Sequence, residues 1–225
     1  MGGGGDLVLS VVSHGQREIL TRLMDDLRRN VLTPFRLVVT ENIPEDHDLP
    51  VADYAYAIEV IRNERRKGFG ANHNAALARA SGSLFCVLNP DLRISKDPFP
   101  ALTAVLEDPQ VGVVAPAVTG PDRSPEDHAR KFPSVFTLAA KAFGHRPHVV
   151  APAGQAVYHP DWVAGMFMLF RTETLRSLGG FDERYFLYYE DVDLCARIRD
   201  RGLDVAVCAS ASVIHEARRE SRQNF

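Results

Sequence analysis

Short apolar runs alternate with amphipathic stretches along most of the chain. Leu7 to Val12 is an apolar run that ends in Ser13-His14-Gly15, and Ile19, Leu20, Leu23, Met24 and Leu27 then recur at helical spacing, which predicts strand, turn, helix. Further strands are predicted at Phe35 to Thr40, Ala57 to Ile61, Leu84 to Leu88 and Val111 to Ala115, with helices from about Ala71 to Ala80 and around Phe99 to Leu106. The alternation predicts an α/β protein whose mostly parallel sheet is covered by helices on both faces. Trp162 to Phe170 reads as one apolar strand with Gly165 at its centre, where something approaches the backbone closely. Thr172 to Leu178 reads as a short helix stopped by Gly179-Gly180. A second helix runs from Asp191 to a stop at Gly202, and Val205 to Cys208 and Ser212 to Ile214 read as two short strands.

The strands end in polar groups: His14 after the first, Glu41 and Asn42 after the second, Asn63 after the third, Asp91 after the fourth. In open α/β sheets ligands bind beyond the carboxyl ends of the strands, so these residues converge on one edge as candidates, although Asn and Asp also favour turns on their own account. Gly68-Phe69-Gly70 opens a helix but has His73 in the third glycine position of the dinucleotide fingerprint and follows the third strand, so that fingerprint is set aside. Gly70 is either a turn glycine or a place where a phosphate or base nears the backbone. Between Thr119 and Pro160 regular patterning fails amid recurrent prolines, which predicts a long excursion from the sheet.

Tyr185 to Tyr189 precedes Glu190, Asp191 and Asp193, so aromatic residues stand directly before three acids at a helix start. Acids there cap a helix and complement its dipole. Aromatic walls would also desolvate a carboxylate and raise its pKa toward a value useful for proton abstraction. Spacing alone leaves open which acid, if any, is a base.

Composition narrows the classes. The 225 residues carry 45% hydrophobic and 24% charged side chains and a formal net charge of -3, an ordinary globular balance with no electrostatic footprint for nucleic acid. Cys86, Cys195 and Cys208 lack metal spacing and sit in apolar surroundings, so buried free thiols and a cytoplasmic location are expected. No run approaches the roughly 20 apolar residues of a membrane span, and Gly2 to Gly5 reads as a flexible leader. The tail from Glu216 to Phe225 lacks periodicity and is expected to be mobile.

At Asn89-Pro90-Asp91, Trp162 to Phe170, Gly180-Phe181-Asp182-Glu183, Tyr189-Glu190-Asp191-Val192-Asp193 and His215 the chain resembles the GT-A-fold glycosyltransferases of family 2, and among them the bacterial rhamnosyltransferase-type enzymes of cell-surface polysaccharide synthesis. The resemblance covers about Val8 to His215. It implies one GT-A domain, with a nucleotide-sugar-binding half at about 7–116, an acceptor and catalytic half at about 117–215, and the tail at 216–225. It also implies an inverting transfer of a sugar, rhamnose among the candidates, from a dTDP- or UDP-linked donor to a hydroxyl of a glycan or lipid-linked acceptor. Asp191 is then the base, with Glu190 orienting it or the acceptor. His14, Glu41, Asn42, Asn63, Asn74, Asn89 and Asp91 are assigned to the donor, and Trp162, Gly165 and Met166 to the acceptor. A divalent cation, Mg²⁺ or Mn²⁺, is implied at Asp91 and His215, with Asn89 in place of the first acid of the Asp-x-Asp motif. A lipid-linked acceptor would require peripheral membrane contact, which Arg218, Arg219 and Arg222 could assist. Two alternatives stand beside this reading: a non-catalytic nucleotide-sugar-binding or assembly subunit of the same fold, and a nucleotidyltransferase. Against the latter, Ser13-His14-Gly15-Gln16 carries no phosphate-binding lysine.

Overall fold

A computed structural model describes residues 6–43, 48–132 and 155–216. Strands β1 (Leu7–Ser13), β2 (Phe35–Glu41), β3 (Ala57–Arg62) and β4 (Leu84–Leu88) are parallel neighbours, in the order β3-β2-β1-β4. Beyond β4 the sheet continues through β10 (Phe167–Arg171), β6 (Val111–Thr119), β11 (Asp204–His215) and β5 (Leu92–Arg93), with β8 (Val157–Tyr158) also paired to β11. β10 is antiparallel to both β4 and β6, while β6 and β11 run parallel. The carboxyl ends of β1 to β4, β6 and β11 therefore share one edge, and the chain entering β10 arrives at that same edge.

Period-2 alternation divides the core between the two faces. Leu7, Leu9 and Val11 of β1 join a cluster with Leu20, Leu23, Met24 and Leu27 of α1 (Arg17–Asn30) and Phe99, Leu102 and Leu106 of α3 (Phe99–Leu106). Val8 points the other way, into a cluster with Ala76 and Leu77 of α2 (Phe69–Arg79), Leu175 of α4 (Thr172–Ser177) and Leu194, Cys195 and Ile198 of α5 (Glu190–Asp200). Burying such a Leu or Ile side chain contributes about 1.5–3 kcal/mol, so the paired apolar stripes hold the helices against the sheet. Cys86, Cys195 and Cys208 are buried and unpaired, as expected.

Three expectations change. Trp162 to Phe170 is not one strand: Trp162–Val163 (β9) pairs with Ala129–Arg130 (β7) in a separate two-stranded sheet, and the chain turns before β10 begins at Phe167. The break falls where Gly165 leaves the ladder and gives its N–H to Asp191. The two strands expected after α5 are one, β11, interrupted by a register shift between Cys208 and Ser212. The first residue of the expected tail, Glu216, is anchored: its N–H donates to the Asp91 carbonyl, and its carboxylate meets Arg22 and Arg93 at 3.4 Å each. Residues 217–225, the leader and most of the proline-rich excursion (133–154) lie outside the described residues.

Candidate active site

At the ends of β1, β2 and β3 the predicted polar residues form one amide cluster. Asn42 Oδ1 accepts from Asn63 Nδ2 and from the Lys67 backbone N–H, both at 2.8 Å, while Asn42 Nδ2 donates to the Lys67 carbonyl at 2.8 Å and lies 3.2 Å from His14 Nδ1. Asn63 Nδ2 also donates to Asn72 Oδ1 at 2.7 Å, which ties the cluster to α2. Burial, with Arg66 nearby, lowers the His14 pKa, so a neutral ring with an accepting Nδ1 suits its place. Glu41 is 5% exposed and accepts from Arg62 Nε at 3.0 Å. The structure thus brings His14, Glu41, Asn42 and Asn63 to one edge, where the Asn42 and Asn63 amides hold the 63–67 loop.

Asn74 lies apart from that cluster. Its Oδ1 accepts from the Phe181 N–H at 2.9 Å, and its Nδ2 donates to the Phe181 carbonyl at 2.8 Å and to Glu183 at 3.0 Å. Gly180 (φ +70°) is required beside it, because a Cβ there would sit 2.3 Å from Asn74 Oδ1. Gly70 has a packing role, since a Cβ on it would meet the Phe181 Cβ at 2.7 Å.

Asp91 follows β4 and meets the end of β11. Its Oδ2 is 3.1 Å from His215 Nε2, and pairing of His215 with Leu92 fixes that approach. Burial alone would lower the His215 pKa, but the hydrogen bond and charge of Asp91, with Glu126, raise it. Asp91 Oδ1 and His215 Nδ1 are both buried and without a hydrogen-bond partner. Unsatisfied buried atoms of this kind call for a ligand. One carboxylate and one imidazole fit a cation that takes its remaining ligands from phosphate oxygens and water. Among the described residues no cluster of three acidic, His or Cys side chains forms a complete cage. Asn89 gives its backbone N–H to the Met166 carbonyl at 2.9 Å, joining the Asp91 turn to the segment before β10.

That segment positions the acids. Asp191 Oδ2 accepts the Gly165 N–H at 2.9 Å and Oδ1 accepts the Val192 N–H at 2.8 Å, so the carboxylate is fixed from both sides. Burial raises its pKa against the pull of these two bonds. A Cβ on Gly165 would lie 3.0 Å from Phe69 Cζ and 3.8 Å from Asp191 Cβ, so the missing side chain lets Phe69, Gly165 and Asp191 pack together. Glu190 is 5% exposed, Oε2 has no partner, and burial, then the Asp191 charge, pushes its pKa up to about 6 despite an opposing backbone hydrogen bond. Asp193 pairs with Arg197 at 2.8 Å, one turn along α5. Tyr189, the residue before the helix, makes no side-chain cap hydrogen bond.

The expected aromatic wall comes from elsewhere in the chain. Tyr185 to Tyr189 are exposed, up to 70% at Tyr189, whereas Phe69 abuts Asp191's support and packs edge-on against Phe181 and His73. His73, unassigned from sequence, is buried with Nδ1 2.8 Å from Ser10 Oγ, and burial drives its pKa down to about 3. A polar residue at a core-facing helix position beside Asn72 was the available signal. The latch formed by Asp26, Arg93 and Glu216 behind His215 (Arg93 Nε to Asp26 at 2.7 Å) carried no local signal.

Four parallel strands, an antiparallel strand inserted beside them, an acid tied to the segment entering that strand and a carboxylate–histidine pair at the same sheet edge match the GT-A glycosyltransferase fold. The crystal structure of GalNAc-T7 with UDP, GalNAc and Mn²⁺ superposes with a TM-score of 0.75 over 95% of this chain and 43% of that one, at 15% identity. The family model for glycosyltransferase-like family 2 matches residues 6–225, and the chain belongs to that family. It is 25% identical to the rhamnosyltransferase WbbL of Escherichia coli K12 over 96% of this chain and 85% of that protein. It is 32% identical to the N-acetylglucosaminyl-diphospho-decaprenol L-rhamnosyltransferase of Mycobacterium tuberculosis over 57% of this chain and 45% of that protein.

Proposed function

We propose that the chain is an inverting glycosyltransferase that moves a sugar, with rhamnose the leading candidate, from a dTDP- or UDP-linked donor to a hydroxyl of a glycan or lipid-linked acceptor in polysaccharide synthesis. The observation that carries this reading is the Asp191 carboxylate, buried and fixed by the Gly165 and Val192 N–H groups. It stands on the same sheet edge as Asp91 and His215. The rhamnosyltransferase relatives support the sugar and the lipid-linked acceptor.

In this reading Asp191 removes the acceptor hydroxyl proton as that oxygen attacks the anomeric carbon and the diphosphate leaves from the opposite face. Two backbone donors hold the carboxylate in one orientation, and burial raises its basicity. Glu190 sets the field beside it. His14, Glu41, Asn42 and Asn63 form the nucleotide end of the donor site, and Asn89 and Asp91 its diphosphate end. Asn74 acts through the Phe181 loop, and Trp162, Gly165 and Met166 border the acceptor. Asp91 and His215 would hold a divalent cation, Mg²⁺ or Mn²⁺, which supplies charge neutralisation to the departing diphosphate. The three buried free thiols support a reducing, cytoplasmic setting.

The test is product analysis with a panel of nucleoside-diphosphate sugars and glycan acceptors, read by NMR at the anomeric centre. The expected result is nucleoside diphosphate released with inversion. Retention of configuration would remove the single-displacement role of Asp191, and pyrophosphate release would indicate a nucleotidyltransferase. Tight donor binding without turnover under either metal would indicate a binding subunit.

A further inference from the structure

Eight large hydrophobic side chains are exposed among the described residues, and five of them are consecutive: Tyr185, Phe186, Leu187, Tyr188 and Tyr189. Scattered exposed apolar residues need no explanation, but a contiguous run does. This one is held outward by backbone structure. Tyr188 and Tyr189 adopt φ of +70° and +71°, a left-handed conformation that non-glycine residues rarely take. The run is also clamped at its middle: the Phe186 carbonyl accepts the Phe69 N–H at 2.9 Å, and a Cβ on Gly68 would meet that carbonyl oxygen at 2.7 Å. The ridge is thus fixed against the loop that precedes α2.

That loop is basic. Arg65, Arg66 and Lys67 are exposed, none is ion-paired with a carboxylate of the described residues, and the Arg66 guanidinium lies 5.8 Å from the centroid of the Phe186 ring. Arg66 thus joins the aromatic ridge to a loop that also exposes Arg65 and Lys67, on a chain whose net charge is -3. Aromatic side chains with polar tips, beside basic residues, match a lipid headgroup region, where rings settle at the interface and cations meet anionic phosphates.

We propose that Tyr185 to Tyr189, with Arg65, Arg66 and Lys67, is a docking surface for an anionic membrane. Glu190 and Asp191 follow the ridge directly in the chain, so docking there brings the acid end of α5 to the lipid surface. A neutral glycan could stack on the same rings, but it would give the three cations nothing to neutralise; the donor diphosphate, within the field of Arg66 beside His14, would leave the exposed run Tyr185 to Tyr189 without a partner.

The experiment is co-sedimentation of the full chain with vesicles of phosphatidylcholine alone or mixed with phosphatidylglycerol, which reads the surface whether or not the chain transfers sugar. Wild-type protein is expected to bind the mixed vesicles, to release them as salt rises, and to ignore the neutral ones. Arg65→Gln with Lys67→Gln should weaken partition roughly 25-fold, about fivefold per charge. Tyr188→Asn with Tyr189→Asn should abolish it, since Asn tolerates the left-handed backbone while removing the rings. Unchanged circular dichroism and thermal midpoint in both variants establish that they remain folded. Equal binding to both vesicle types, or wild-type partition in both variants, overturns the proposal; the latter would move the contact to a site such as the arginines at 218, 219 and 222. Unchanged partition with lost transfer to a water-soluble acceptor in the tyrosine variant would also overturn it and assign the ridge to the glycan.

Discussion

Replacing Glu190 by Gln should make the protein more stable and a poorer enzyme. Glu190 opens α5 at 5% exposure, with Oε2 buried and unpartnered. Burial, then the Asp191 charge, holds its pKa at about 6 instead of the ordinary 4.5, against a backbone hydrogen bond that pulls it down. A carboxyl whose folded pKa exceeds its unfolded value favours the folded state in its protonated form. That contribution is fully present below pH 4.5 and is lost as pH rises through 6. The difference corresponds to about 2 kcal/mol of destabilisation at neutral pH, at 1.36 kcal/mol per pH unit. Gln has the same shape and no charge, so Glu190→Gln should gain up to about 2 kcal/mol near pH 7.5 and almost nothing near pH 4.5. Urea unfolding of both proteins across this range isolates the effect, because other titrating groups cancel in the difference. A thermal midpoint rise of roughly 4–8 °C is the matching calorimetric result. A gain that does not change with pH, or a variant less stable than wild type at neutral pH, would refute the desolvation argument. A destabilising acid at this position is consistent with selection for function over stability.

Tyr189→Val should destabilise by about 1–2 kcal/mol, because a β-branched residue strongly resists φ of +71°, whereas Tyr189→Asn should stay near wild type; denaturant midpoints distinguish them. Asn42→Ala should lower stability by about 2 kcal/mol, measured by urea unfolding, because it leaves the Lys67 N–H unpaired and the Lys67 carbonyl with only the 3.3 Å bond from Asn72 Nδ2. It should also weaken nucleotide binding as the 63–67 loop loosens. Asp91→Asn should weaken Mn²⁺ binding at least about tenfold, read by electron paramagnetic resonance with nucleoside diphosphate present, with little change in thermal midpoint of the metal-free protein.

What could be read from the sequence follows from the range of the forces involved. Strand and helix positions were legible because burial on two faces imposes local periods, as in Leu7 to Val12 and Ile19 to Leu27. The polar edge was legible for the same reason: Glu41, Asn42 and Asn63 stand where apolar runs stop. The break within Trp162 to Phe170 was not, because pairing with Ala129–Arg130 and with β4 decides it, and neither partner is near in sequence. The aromatic residues before Glu190 gave the wrong wall for a related reason. Whether a ring faces a carboxylate or solvent depends on backbone conformation at Tyr188 and Tyr189, and the ring that does pack at the site, Phe69, comes from another helix. The anchoring of Glu216 by Arg22 and Arg93 joins residues far apart in the chain and likewise left no local pattern.

The central claim is that Asp191 accepts the proton of the attacking hydroxyl. The most direct measurement compares turnover of wild type and Asp191→Asn, using whichever nucleotide sugar and acceptor the panel identifies, with donor affinity measured in parallel. The expected result is a fall in kcat of roughly 10²- to 10⁴-fold with donor Kd unchanged. Transfer at the wild-type rate by a folded Asp191→Asn protein would contradict it.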